Sequence, residues 1–246
     1  MHKVTDQLLK NLKILLTPFE NFGHGYSHCI NVTCHAINAL KYEKLTQDQE
    51  MAIILACLLH DADDIKMFPM SKNYYNTRKL LEFTNESTEN KNLIMELVNL
   101  VSCRHNHNST VVENWKLIPR FCDRLEAIGY IGIKRCLQYS LSTNKILYLP
   151  TTSIAKNRSE LYAIADPSRF LQYKGNSSSM IDHFYDKILH IGDMTLSNNP
   201  YIIDTAVHRR EIIEKFLLTW GKLMQDGAEK NVIYNFIMSY NNANIN

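Results

Sequence analysis

The sequence predicts an all-α protein, and three observations carry that prediction. Apolar residues recur at three- and four-residue spacing along most of the chain. Its 246 residues include only 8 glycines and 6 prolines, too few for the turns of an all-β design. The apolar run Met51–Leu59 is also preceded by a helix-start signal and followed at once by His60-Asp61. No internal repeat or strong linker interrupts the pattern, so residues 1–246 are expected to form one helical domain.

The elements follow in order. Val4, Leu8, Leu9, Leu12 and Leu15 give a first helix that ends before Pro18. Asn21-Phe-Gly-His-Gly25 is a glycine-broken loop; a second helix is expected from Tyr26 to Glu43, with Ile30, Ala36, Ile37 and Leu40 inward. Thr46 and Gln49 have the spacing of a capping box, opening a third helix that runs to His60. Asp61-Ala-Asp-Asp64 reads as a turn crowded with carboxylates. Helical spacing resumes at Thr77–Phe83 and from Thr88 to Arg104, with Leu93, Leu97, Leu100 and Val101 on one face. Pro119 suits the first turn of the helix carrying Asp123. Gly129 and Gly132 separate that helix from a segment at Ile133–Leu141. Residues 142–178 are expected to be a long irregular loop. Ser179 starts another helix, and Ile202–Met224 and Ala228–Tyr240 complete the series, the former with Ile212, Phe216 and Leu223 inward.

Composition narrows the function. A net charge of +2 provides no broad cationic surface for nucleic acid or membrane. No apolar run approaches the roughly 20 residues of a spanning helix. The amino terminus lacks a secretory pattern, so a cytoplasmic location is expected. The six cysteines form no Cys-x-x-Cys pair, which argues against a thiolate zinc site and for reduced, buried thiols.

Chemistry concentrates at His60-Asp61, two metal-ligand side chains adjacent in sequence where an apolar helix ends. Burying both without a partner would be costly. Upstream, Gly25-Tyr-Ser-His-Cys-Ile-Asn-Val32 supplies His28; downstream, Arg120-Phe-Cys-Asp-Arg-Leu-Glu-Ala-Ile-Gly129 supplies Asp123. Imidazole with carboxylate suits Mn²⁺, Fe²⁺, Co²⁺, Ni²⁺ or Mg²⁺.

These motifs resemble the HD superfamily of metal-dependent phosphohydrolases, all-α enzymes named for an adjacent His and Asp. Leu58-Leu-His-Asp-Ala-Asp-Asp-Ile-Lys66 is similar to a bacterial-type branch with Leu-Leu-His-Asp followed by an acidic residue and a Lys. Asp123-Arg-Leu-Glu-Ala-Ile-Gly129, Ser179-Met-Ile-Asp-His-Phe-Tyr-Asp-Lys-Ile-Leu189, Met194-Thr195 and Ala206-Val-His-Arg209 match further elements of that branch in the correct order. The resemblance implies a helical HD-domain bundle with core motifs in 24–141 and C-terminal helices in 179–240 packing on it. It also implies that His28, His60, Asp61 and Asp123 hold one divalent ion, Mn²⁺ in preference to Mg²⁺, Co²⁺, Ni²⁺ or Fe²⁺. Two positions depart from the branch: Phe121 stands where it usually has an Asp, and Glu126 replaces an Asp while keeping its charge. Loss of the carboxylate at 121 would loosen ligand orientation or shift metal preference.

The implied reaction is attack on phosphorus by a water that the ion activates. Asp64 is placed to exchange a proton with that water or the leaving group, or else serves the turn or caps a helix. Lys66 would pair with a phosphate oxygen. His105 and His107, only two residues apart, are expected to contact phosphate or to cap a helix, rather than bind a second metal. Arg124 and Lys187 are candidates for phosphate contacts or for ordinary salt bridges. His183 is expected to pack on Phe184 or Tyr185, and His24 and His35 are weaker alternates to the ligand set. The expected substrate is a nucleotide, a nucleoside or deoxynucleoside triphosphate cleaved to monophosphate and pyrophosphate. The rivals are a 5′-nucleotidase-type phosphomonoesterase, an iron-dependent oxygenase and a metal-bearing helical signalling module without turnover. Partners are therefore a small phosphate ester, with no membrane or nucleic acid; a homo-oligomer is compatible.

Overall fold

A computed structural model of the protein describes residues 4–22, 24–102, 106, 109, 112–193 and 197–242. No β-strand occurs among the described residues, and no described helix is long and apolar enough to cross a membrane. The chain divides into two compact units, Met1–Asp123 with Thr195–Ile203, and Arg124–Met194 with Asp204–Asn246.

The first unit contains α1 (Asp6–Leu16), a 3₁₀ segment (Thr17–Phe22), α2 (Tyr26–Leu40), α3 (Gln47–Leu59), α4 (Tyr75–Leu81) and α5 (Thr88–Val101). A second 3₁₀ turn (Asn114–Leu117) leads into α6 (Ile118–Leu125), which contributes residues up to Asp123. Helix α3 is the centre of this unit, packed against both α2 and α5. Packing on two sides explains why its sequence is a continuous apolar run instead of a one-sided stripe: Met51, Ala52, Ile53, Leu55, Ala56, Cys57, Leu58 and Leu59 are all buried. Its start is set by the expected capping box, in which Thr46 accepts the Gln49 amide and Gln49 accepts the Thr46 amide.

Helix α2 stops at Leu40, short of Glu43, and Ile37 is exposed rather than inward. The buried stripe of α2 runs instead through Cys29, Val32, Ala36 and Ala39. On α5 the inward face is Ile94, Leu97, Val98 and Val101. The start of α4 has an unusual origin. Asn73 and Tyr74 both adopt left-handed backbone, and no side chain of the N-cap Tyr74 covers the first amides. Asp63 does so from a distance in sequence, accepting the amides of Asn76 (3.0 Å) and Thr77 (2.8 Å), the Thr77 hydroxyl (2.7 Å) and the Ser71 hydroxyl.

The second unit contains α7 (Gly129–Ser142), α8 (Arg158–Ile164), α9 (Pro167–Gln172) and α10 (Met180–His183), which continues through a π-helical turn (Phe184–Ile188) into α11 (Leu189–Ile191). The body of α12 (Pro200–Gln225) and α13 (Lys230–Asn242) completes it. Residues 142–178 are not one irregular loop: α8 and α9 lie within them. Asn157 caps the first by accepting the Glu160 amide, and Asp166 with Pro167 opens the second. Gly132 lies inside α7; only Gly129, at φ +74°, makes the break, and its missing side chain leaves room for Arg209. Ser179 caps α10 as expected. The inward residues of α12 include Ile213, Phe216, Leu217 and Trp220, with Ile212 and Leu223 only half-buried.

Glu126 finds its partner here. Arg209 donates to the Glu126 carboxylate at 2.8 Å and to the Leu125 carbonyl at 2.6 Å, closing the end of α6. Replacing Arg209 with Ala removes this ion pair from a buried carboxylate, and should cost about 3 kcal/mol in urea unfolding; a loss under about 0.5 kcal/mol would show that the pair contributes nothing to stability.

Candidate metal centre

Four of the expected site residues converge within the first unit. Helix α3 ends at Leu59, so His60 sits at its C-cap and Asp61 in the turn that follows. His28 lies in the first turn of α2, where Gly25 provides the N-cap. Asp123 projects from α6. The packing of α2 on α3 brings the two imidazoles together, and their Nε2 atoms stand 3.2 Å apart. His28 Nε2 lies 3.2 Å from Asp123 Oδ1 and 3.7 Å from Asp61 Oδ2. His60 Nε2 lies 3.6 Å from both Asp61 Oδ1 and Asp123 Oδ1.

The His28–His60 and His28–Asp123 separations match those of ligands to one metal, and the other three lie slightly beyond them. Donors bonded to one cation at about 2.1 Å are separated by about 3.0–3.4 Å along the edges of their polyhedron. The orientation fits as well. The Nδ1–H of His60 donates to the Cys57 carbonyl at 2.8 Å, which leaves Nε2 as the donor atom facing the carboxylates. Two imidazoles and two carboxylates are a borderline-to-hard donor set, matched to divalent first-row ions or Mg²⁺.

The electrostatics express the same need for positive charge. Burial opposes ionisation of His60, but the Asp61 carboxylate and the contacts to Asp123 raise its pKa to about 9. Burial would raise the Asp61 pKa, yet the His60, His24 and His28 rings hold it below the ordinary carboxylate range. Asp123 behaves alike: hydrogen bonds from His28 and His60 overcome burial and lower its pKa.

His24, expected only as a weaker alternate, also arrives: its Nδ1 is 3.1 Å from Asp61 Oδ2, and it gathers with His28 and Asp61. Cys29 comes within reach of His60 and Asp61. Cys57 and Cys122 lie behind the ligands, and burial together with their mutual hydrogen bond pushes the Cys57 thiol well up, keeping it protonated. Cys34 is exposed and Cys136 half-buried, so burial is not general to the thiols. His35 is occupied elsewhere, with Nδ1 2.6 Å from the Tyr201 hydroxyl.

Asp64 is not among the gathered donors; its Oδ1 accepts the Lys66 amide at 2.8 Å, and Lys66 is exposed. His105 and His107, with Arg104, Met194 and Thr195, lie outside the described residues. In the second unit Arg124 is buried, and Lys187 sits in the π-helical turn with its Nζ 5.9 Å from the Tyr173 ring. His183 packs on Tyr173, at a ring separation of 5.5 Å.

Solved structures share this architecture. A structural-genomics protein of Lactobacillus plantarum superposes with a TM-score of 0.64 at 21% identity, over 91% of this chain and 100% of its own. YpgQ of Bacillus subtilis, solved in complex with ADP, gives 0.60 at 18% identity over 88% of this chain and 93% of its own. An HD-superfamily hydrolase of Bacillus thuringiensis gives 0.57 at 20% identity over 89% and 97%. The fold is therefore the HD-domain fold. No family model matches the chain. An uncharacterised protein of Acanthamoeba polyphaga mimivirus, L803, is 41% identical over 214 residues, 80% of this chain and 88% of the relative. The chain belongs to the family of that protein.

A pH dependence follows from the site. In protein stripped of metal, the stability contributed by His60 is complete below its unfolded pKa of about 6.5 and is lost as pH rises through about 9. The contribution of Asp61 and Asp123 runs the other way, present above about pH 4 and lost as pH falls through their lowered values. The Tm of chelator-treated protein should decline from about pH 7 to about pH 10, and less steeply in His60→Gln. Equal slopes for the two proteins would contradict the assignment.

Proposed function

We propose that the protein is a metal-dependent phosphohydrolase acting on nucleotides, hydrolysing a nucleoside or deoxynucleoside triphosphate to the monophosphate and pyrophosphate. One observation supports this reading: the Nε2 atoms of His28 and His60 lie 3.2–3.7 Å from carboxylate oxygens of both Asp61 and Asp123, close to the spacing of ligands to a single cation. The HD-domain fold supports hydrolysis, and the ADP held by YpgQ supports a nucleotide.

His28 and His60 through Nε2, with Asp61 and Asp123 through their carboxylates, would hold a divalent ion, and among the ions this donor set suits, the family resemblance favours Mn²⁺. When bound, it lowers the pKa of a water and offsets charge on phosphate oxygens. The residues of the chain do the rest. The Cys57 carbonyl keeps His60 in the tautomer that donates through Nε2. Asp64, with Oδ1 held by the Lys66 amide, has Oδ2 to exchange a proton with the attacking water or leaving group. Lys66, exposed beside it, would meet a phosphate oxygen as a point charge.

The test is direct. Purified protein is incubated with Mn²⁺ and a panel of nucleoside tri- and monophosphates, and products are separated by ion-exchange chromatography. Monophosphate and pyrophosphate are expected in equal amounts. Release of orthophosphate from monophosphates alone would instead identify a phosphomonoesterase. Asp61→Ala should lower turnover by at least about 100-fold while the helical circular dichroism persists. Full activity in that variant, or no turnover of any substrate by the parent, would refute the proposal.

A further inference from the structure

His24 enters the metal centre without belonging to the four-residue ligand set. It is delivered by a built loop. The 3₁₀ segment Thr17–Phe22 ends just before it, and Glu20 reaches back to accept the Ser27 amide at 3.0 Å, covering an otherwise unpaired donor in the first turn of α2. Gly25 lies so close to Glu20 that a Cβ at that position would overlap its backbone. The clasp holds Gly25, the residue that follows His24, against Glu20.

The two oxygens of Asp61 have different neighbours. Oδ1 faces His60 at 3.6 Å, whereas Oδ2 faces His24 at 3.1 Å and His28 at 3.7 Å. His24 gathers with His28 and Asp61, while Asp123 gathers with His28 and His60, and the hydrogen-bond contact of His24 within its group is to Asp61. A terminal carboxylate turns in a broad torsional well, and the contacts of Asp61 with His60 and His28, at 3.6 and 3.7 Å, are longer than its hydrogen bond to His24. The His24 side chain is 22% exposed, against 6% for Asp61, which places it on the solvent side of that carboxylate.

We propose that His24 is a positioning residue for Asp61. Its Nδ1–H donates to Oδ2, fixing the carboxylate plane so that Oδ1 is presented toward His60. The inference rests on the metal centre proposed above and adds to it the residue that orients one of its ligands.

The experiment measures Mn²⁺ affinity by isothermal titration calorimetry on the full chain after removal of metal, for the parent, His24→Ala, His24→Asn and Asp61→Ala. Asn carries an amide N–H close to the place of the imidazole Nδ1–H. His24→Ala should weaken Mn²⁺ binding by about 10–100-fold. His24→Asn should recover it to within about threefold of the parent, with the metal-free Tm unchanged in both. Parent-like affinity in His24→Ala would overturn the proposal. So would equal weakening in the Asn and Ala variants, which would make the imidazole itself a ligand. Parent-like affinity in Asp61→Ala would instead overturn the metal centre, and is read separately from the His24 result.

Discussion

Two carboxylates and two imidazoles brought together at the end of a buried helix create a demand for positive charge, and the structure of the first unit is organised around that demand. Each carboxylate would ordinarily be solvated; here each is held against histidine rings. The result is a raised His60 pKa and lowered pKa values for Asp61 and Asp123. A divalent cation meets the demand with more charge than a single proton and with the directional bonds that the spacing provides. Helix α3 makes this arrangement rigid. Packed against α2 and α5, it ends at a defined residue and delivers His60 and Asp61 at a fixed point.

The features most readable in the sequence were those generated by local rules. The Thr46–Gln49 capping box and the Ser179 cap are short-range hydrogen-bond patterns, and both form. The apolar run before His60-Asp61 is a burial pattern, and it is buried. The features least readable depend on contacts far apart in the chain. His24 sits in a glycine-flanked loop with no periodicity, and only its approach to Asp61, 37 residues away, gives it a role. Asp63 looked like one of several turn carboxylates, yet it caps α4 from 13–14 residues away. Ile37 fits an apolar stripe by spacing, but its side chain is exposed.

Departures from the family pattern acquire physical meaning in the same way. The charge of Glu126 is used by Arg209, whose guanidinium also donates to the Leu125 carbonyl at the end of α6. Phe121 is buried two residues before Asp123 and offers no hydrogen bond to orient a ligand. Asp123 has its own contacts to His28 at 3.2 Å and His60 at 3.6 Å. Orientation of Asp61 falls to the other side of the site, where His24 stands.

The most direct test of the metal centre is anomalous diffraction from crystals grown with Mn²⁺, recorded at the manganese absorption edge. One strong peak is expected, within about 2.0–2.3 Å of the Nε2 atoms of His28 and His60 and of a carboxylate oxygen from each of Asp61 and Asp123. No peak among these four side chains, or a peak bonded to fewer than three of them, would contradict the account.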